Sequence, residues 1–341
     1  MIEYFNLRAN QCQPRYRFAG NTKGDFDAWQ NNLLTEIKKL LGPMPDSVDL
    51  NPEIIWEVEE DGLIKRRVLL DVEEFMSVVA LVYIPKKVKK PYPAILCSHG
   101  HGNYAKDSVM GIRSDYYKER NAEIDGFNYD YGLQMAKRGY VTIAIDYRGF
   151  GERADGGNPY PERDKCNVHF IRGNLMGINL LTLNIWDAMK CLDYLCQLDF
   201  VDSNRIGAMG LSFGGTITTW IALLDQRIKA ADIICYSARF KNFAINDGNF
   251  CGSQYLPDLY TLCDVPDLQG LIAPRPLLAE IGVHDKCFFE YDSLDCSEQV
   301  KKIYSAAGAT DNYQEDIFPG DHRFAGNKAF KFFEDNLKGS Q

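Results

Sequence analysis

The run Gly210-Leu211-Ser212-Phe213-Gly214-Gly215 sets a serine between small residues two positions before and two positions after it. A β-type run, Arg205 to Met209, leads into it and an apolar helical run follows. Glycines at those positions let a chain turn sharply from strand to helix, which exposes the hydroxyl above the positive end of the helix. That is the setting of a nucleophile, whereas without its context the motif would also describe an ordinary glycine-rich helix entry. A serine nucleophile needs a base, the base needs an orienting acid, and with this kind of turn they follow in the order Ser, Asp or Glu, His. Of the five histidines, only His284 and His322 come after Ser212. His322 lies in Phe318-Pro319-Gly320-Asp321-His322-Arg323-Phe324, just beyond the last β-type run, and is the expected base; His284 follows the run before it. Asp285 sits four residues past the run Leu277 to Ile281 and is the expected acid, with Glu280, Glu290 and Asp292 as rivals. Glu280 reads as part of the strand, and the other two as the opening of the next helix.

Acyl transfer also needs amide donors where charge develops on the attacked oxygen. One is expected from the backbone N–H of Phe213, directly after the serine. The other is expected from the loop Ser98-His99-Gly100-His101-Gly102, with His101 N–H as the choice. His99-x-His101 could be a metal pair, but further ligands are not evident nearby, so no metal is expected. Gly149-Phe150-Gly151-Glu152-Arg153-Ala154 fits a loose dinucleotide pattern. However, Asp155-Gly156-Gly157-Asn158-Pro159 cannot open the helix that would hold a pyrophosphate.

The elements that must position these residues are legible as a change of period. Residues 25–41 read as a helix ended by Gly42-Pro43, and three β-rich runs span Glu53 to Ile84, with Asp61-Gly62 as a hairpin turn. From Pro93 onward short apolar strands alternate with helical stretches. The strands are Ala94–Cys97, Val141–Ile145, Ile206–Met209, Ala230–Ile234, Leu277–Ile281 and Tyr313–Phe318, and the helices 127–138, 178–197, 213–224, 291–307 and 326–337. This is the pattern of a doubly wound, mostly parallel α/β sheet, here of about eight strands. Irregular segments at about 102–126, 147–176 and 236–272 each follow a strand's C-terminal end, where ligands bind in open α/β sheets. The third is rich in aromatic and apolar residues, among them Phe240, Phe243, Phe250 and Tyr255, which suit either sugar stacking or packing of a lid.

The 341 residues carry 38 basic and 47 acidic side chains, a formal charge of −9, which disfavours a nucleic-acid partner. The uncharged run Ile206 to Leu224 is nominally long enough to span a bilayer, but its glycines, serine and threonines read as strand, turn and helix. No membrane partner is expected. Ten scattered cysteines with no Cys-x-x-Cys pair, and a start without a secretory signal pattern, give the expectation of reduced thiols and a cytoplasmic location.

Taken together, Gly210 to Gly215, the His99-Gly100 loop, Arg148-Gly149-Phe150-Gly151, Asp285 and His322 resemble an α/β-hydrolase of the acetyl xylan esterase and dienelactone hydrolase-like group, over about 70 to 340. Trp186-Asp187, Asp202 to Gly207 and Ala273 to Leu278 resemble the acetyl-esterase branch in particular. Dienelactone hydrolases proper use a cysteine nucleophile, so with Ser212 their lactone chemistry does not carry over. The carbohydrate acetyl esterases commonly have glutamine after the serine and tyrosine at the second oxyanion position; this chain has Phe213 and His101. The resemblance implies a Ser212-His322-Asp285 esterase acting through an acyl-enzyme on short-acyl esters of a carbohydrate or similar bulky alcohol, with no cofactor. The domain expectation is residues 1–70 as a helical and β extension packed on the core, then 71–341 as the catalytic domain with the three insertions. The rivals are a prolyl-oligopeptidase-like peptidase and a non-catalytic ligand-binding member of the fold. Oligomeric state is not legible.

Overall fold

The computed structural model describes residues 1–86, 89–154, 162–249 and 251–339. The expected Asp155-to-Pro159 break and Phe250 therefore lie outside the described residues. Two helices open the chain, α1 (Ile2–Gln11) and α2 (Lys23–Leu41), the second capped by a reciprocal Thr22–Asp25 box. Three antiparallel strands follow, β1 (Glu53–Glu60), β2 (Leu63–Glu73) and β3 (Met76–Pro85). Then come β4 (Tyr92–Ser98), α3 (Ala105–Val109), α4 (Lys118–Phe127), α5 (Tyr131–Lys137), β5 (Val141–Ile145), α6 (Lys165–Leu175), α7 (Leu180–Gln197) and β6 (Val201–Leu211). The chain continues through α8 (Phe213–Leu224), β7 (Ile228–Ile234), α9 (Leu259–Leu262), α10 (Val265–Gly270), β8 (Leu277–Gly282), α11 (Glu290–Ala306), β9 (Tyr313–Phe318) and α12 (Ala329–Phe333).

All nine strands form one sheet in the order β1-β2-β3-β5-β4-β6-β7-β8-β9, parallel from β5 to β9. This is the α/β-hydrolase fold, one strand larger than the sequence suggested, because all three N-terminal β runs join the sheet. The expected division at 70/71 falls inside β2, whose pairing with β3 runs on across it. The three insertions are less irregular than expected: they hold α3 and α4, then α6, then a π-helical turn at Phe240–Asn246 with α9 and α10. All but α6 are short or weakly amphipathic, so their apolar spacing gave little periodic signal.

Side chains alternate across the sheet. Ala94 and Leu96, with Ile143 and Ile145, join the core shared with α2, α7, α8 and α11. Ile95, Cys97 and Ala144 face the opposite core with α5 and α12. α8 is buried along almost its whole length, which accounts for the uncharged run that ends in it. No helix among the described residues is long and apolar enough to cross a membrane.

Three carboxyl groups lie on the α12 side of the sheet, Asp232 on β7, Glu280 on β8 and Asp316 on β9. Glu280 accepts from Ala325 N (2.7 Å) and Gly326 N (3.3 Å), and Asp316 from Lys328 N (3.2 Å). Both therefore tie the stretch after His322 to the sheet. Asp232 is fully buried, and neither of its oxygens has a hydrogen-bond partner among the described residues. Burial, reinforced by the neighbouring Glu280 and Asp316, raises its pKa well above the ordinary carboxylate value. A carboxyl group whose folded pKa is raised contributes stability that is full below its unfolded value, near about 3.9, and is lost as pH rises through the folded one. Asp232→Asn removes that loss without changing volume. Its melting temperature should exceed the wild type's by a margin that widens as pH rises above the unfolded carboxyl's value of about 3.9. A pH-independent margin in circular-dichroism melts would show that Asp232 does not change its protonation on folding.

Candidate active site

Ser212 joins β6 to α8 with φ 60° and ψ −118°, a backbone conformation that costs a non-glycine residue on the order of 1–3 kcal/mol. The neighbouring backbone holds it there. Ser212 N donates to Ile234 O (2.9 Å) and Thr216 N donates to Ser212 O (3.1 Å). The glycines are required by close approach: a Cβ on Gly214 would lie 2.1 Å from Ser98 O, and one on Gly210 2.5 Å from Gly214 C. Gly100 sits equally close, since its Cβ would meet Tyr129 Oη at 2.7 Å and Ser212 Cβ at 3.3 Å. The expected nucleophile and the expected oxyanion loop are thus packed backbone to backbone.

The other two expected members meet across β8 and β9. His322 Nδ1 and Asp285 Oδ2 are 2.7 Å apart, with Asp285 almost wholly buried and the imidazole 18% exposed. Asp285 Oδ1 accepts from Cys287 N (2.7 Å) and Phe288 N (3.0 Å), which fixes the carboxylate and leaves Oδ2 for the histidine. The two loops are stitched together by Val283 N to Phe318 O (3.0 Å) and His284 N to Gly320 O (2.9 Å). Phe288 stacks on the His322 ring at 5.8 Å and also lines the cavity that opens on Ser212. Among the described residues no hydrogen bond joins Ser212 Oγ to His322, a contact often long in ligand-free enzymes.

The rivals are engaged elsewhere. Glu280 holds the backbone of 325–326, and Asp292 accepts from Arg239 N (2.9 Å) and Asn242 Nδ2 (2.5 Å), pinning the third insertion. Glu290 and His284 are exposed. Phe213 N, at the first position of α8, has no acceptor within the helix. The loop amide of His101 donates to no described residue. His99 is not available to a metal: Tyr147 N donates to its Nε2 (3.0 Å), so Nδ1 carries the proton and donates to Gly100 O (2.7 Å). Burial lowers its pKa to about 4, so it stays neutral.

The Ser212 cavity has a volume of about 220 Å³ and is lined by His101, Asp164, Asn249, Cys251, Gln254 and Phe288 besides Ser212 and Gly248. Ser212 and His101 alone among these were legible in the sequence: Asp164, Gly248, Asn249, Cys251 and Gln254 sit in insertions with no readable period, and Phe288 lies in the loop of Asp285, whose packing on His322 has no local signal. Asp164 alone had a local signal, as the N-cap of α6 accepting from Cys166 N (3.0 Å). The aromatic residues of the third insertion pack instead. Phe240, Phe243, Leu256 and Leu259 are buried, and Phe240, Leu256 and Leu259 with Tyr255 and Tyr260 line a separate cavity of about 540 Å³ that does not include Ser212. Beneath the site, Arg148 forms a two-bond fork with the buried Asp187 (2.9 and 2.8 Å), and Arg153 adds a third contact (2.7 Å).

A serine at a strained strand-to-helix turn after β6 and a histidine–aspartate pair on the loops after β8 and β9 share the C-terminal edge of one mostly parallel sheet, and the fold is that of an α/β-hydrolase. The chain belongs to the Abhydrolase family, whose model matches residues 6–331. It is 28% identical over 288 residues to "Putative hydrolase YtaP" of Bacillus subtilis (strain 168), covering 82% of this chain and 89% of that protein. In structure it is similar to a "putative acetyl xylan esterase" from Bacteroides fragilis NCTC 9343, with TM-score 0.76, 22% identity, and 92% and 81% of the two chains covered. It is also similar to a glucuronoyl esterase from Solibacter usitatus, with TM-score 0.65, 15% identity, and 92% and 94% covered. At these identities the likenesses establish the shared fold.

Gly214→Ala should destabilise the protein by about 1–3 kcal/mol, since neither Ser98 nor the turn can yield without moving backbone. Gly24→Ala, on an open face of α2 with only Thr22 Oγ1 at 3.9 Å, should stabilise by about 0.4–1 kcal/mol. Urea denaturation of the two variants checks both signs. A neutral Gly214→Ala would mean that the packing of turn against loop is looser than described.

Proposed function

We propose that this protein is a serine ester hydrolase that removes short acyl groups, acetyl above all, from a carbohydrate or similar bulky polar alcohol. The observation that carries this reading is Ser212, strained in the lining of a small polar cavity, with the His322–Asp285 pair on the loops after β8 and β9 of the same sheet. In the proposed cycle His322 takes the Ser212 proton as Oγ attacks the ester carbonyl, and Asp285 holds the ring and stabilises its protonated form. The N–H groups of Phe213 and His101 receive the developing oxyanion. His322 then returns the proton to the leaving alcohol, and water repeats the sequence on the acyl-enzyme.

The substrate class rests on the lining. A long alkyl chain in this cavity would desolvate Asn249, Gln254 and Asp164 without replacing their hydrogen bonds, a cost an acetyl group largely avoids. The structural similarity to an acetyl xylan esterase and to a glucuronoyl esterase supports the same class. Ten unpaired thiols, most of them buried, suit a reducing compartment, and we place the protein in the cytoplasm on that ground.

Purified protein is to be assayed against acyl esters of graded length, acetylated sugars and an aminoacyl anilide. Acetyl esters should be turned over at least about tenfold better than octanoyl esters, roughly 1.4 kcal/mol of transition-state discrimination. A preference for long chains, or anilide cleavage without ester cleavage, would overturn the substrate class.

Ser212→Ala and His322→Ala should each lower kcat by on the order of 10⁴- to 10⁶-fold and abolish or slow fluorophosphonate labelling, whereas His284→Ala should be mild. Asp285→Asn should be crippling and Asp292→Asn should not. A folded Ser212→Ala protein keeping more than about a tenth of the activity would sink the mechanism.

A further inference from the structure

The wall of the Ser212 cavity holds a set of donor atoms that the ester chemistry does not use. His101 Nε2 lies 3.5 Å from Cys166 Sγ and 3.2 Å from Asp164 Oδ2. The His101 nitrogen and the sulfurs of Cys166 and Cys251 all lie within 4.8 Å of one another. These four residues come from three separate stretches of chain: the loop after β4, the start of α6 and the third insertion. The backbone brings the last two together independently, since Gly252 N donates to Asn167 Oδ1 (2.6 Å) and a Cβ on Gly252 would meet Phe170 Cβ at 2.2 Å.

Tetrahedral zinc binds sulfur at about 2.3 Å and imidazole nitrogen at about 2.0–2.1 Å, which sets adjacent sulfur and nitrogen ligands about 3.5 Å apart. That is the His101–Cys166 separation. The same geometry puts nitrogen and carboxylate ligands about 3.3 Å apart, close to the His101–Asp164 separation. Asp164 Oδ1 is committed to capping α6 through Cys166 N (3.0 Å), so Oδ2 is the oxygen that faces the imidazole. The other grouping of this kind, Cys235 with Asp285 and His322, contains the histidine–aspartate pair to which the ester chemistry is assigned, so it is not a spare donor set.

We propose that His101, Cys166 and Cys251, with Asp164 alongside His101, form a binding site for zinc, which ties the loop after β4 to the second and third insertions beside Ser212. On binding, the two thiols give up their protons to solvent and the sulfurs become thiolate ligands. The short Cys166-to-Asp164 hydrogen bond (2.6 Å) and the Cys166–His101 contact are then replaced by bonds to the metal. The backbone amide of His101 is not involved, so the site does not require the oxyanion role proposed for that amide.

The test is titration of the reduced full-length chain with cobalt(II), followed by displacement with zinc. One cobalt per chain should bind with intense visible bands of tetrahedral geometry and a near-ultraviolet thiolate-to-cobalt charge-transfer band, and zinc should bleach both. Cys166→Ser and Cys251→Ser should each weaken the charge-transfer band. His101→Gln, at a partly exposed side chain where misfolding is not a concern, should keep that band and lower affinity at least about tenfold. The proposal is overturned if the wild type shows no charge-transfer band, if the band is unchanged in both serine variants, or if His101→Gln binds cobalt as tightly as the wild type.

Discussion

Ser212 occupies a left-handed backbone conformation that a serine does not adopt without support, and its neighbours are arranged to supply it. Its N–H is paired to Ile234 at the end of β7, its carbonyl starts α8, and Gly210 and Gly214 let Ser98 press against the turn with no side chain between. One backbone requirement therefore sets the spacing between β4, β6 and β7 at their C-terminal ends. It also sets the distance from the serine to the loop amides at 100–101. A change that relaxes the turn would move Ser212 and the loop at 98–100 together, because they are in contact.

The second arm of the site depends on buried carboxylates. Asp285 is fixed by two amides of its own loop, and the stretch beyond His322 is fixed by Glu280 and Asp316. Polar groups at the sheet's edge thus do what apolar packing cannot, since a short loop has too little surface to be held by burial alone. Asp232, buried beside them with no partner, stands apart. Its position on a central strand imposes a pH-dependent cost that the fold otherwise offsets with the extensive core on both sheet faces.

Around these two arms the insertions decide what reaches the serine. They bring polar side chains from distant parts of the chain, His101, Asp164, Asn249 and Gln254, into one small cavity, while the aromatic residues of the third insertion are spent on packing. In the Arg148–Asp187–Arg153 ion network the fully buried Asp187 carboxylate is held by both arginines, and removing both would leave a buried charge uncompensated.

The sequence by itself determined whatever depends on local period and local sterics. Val141–Ile145, Tyr313–Phe318 and the helix from Phe213 to Leu224 were legible to the residue, because alternation, apolar spacing and the glycines of the turn act over a few positions. The order Ser212, Asp285, His322 was legible for the same reason, each lying just past a readable strand. Tertiary structure alone decided the rest. That Asp164, Cys166 and Cys251 converge on His101 follows from how the second and third insertions fold over the loop after β4. This leaves no trace in spacing, because the residues involved are separated by dozens of positions and are brought together by backbone hydrogen bonds and burial, which have no fixed period along the chain.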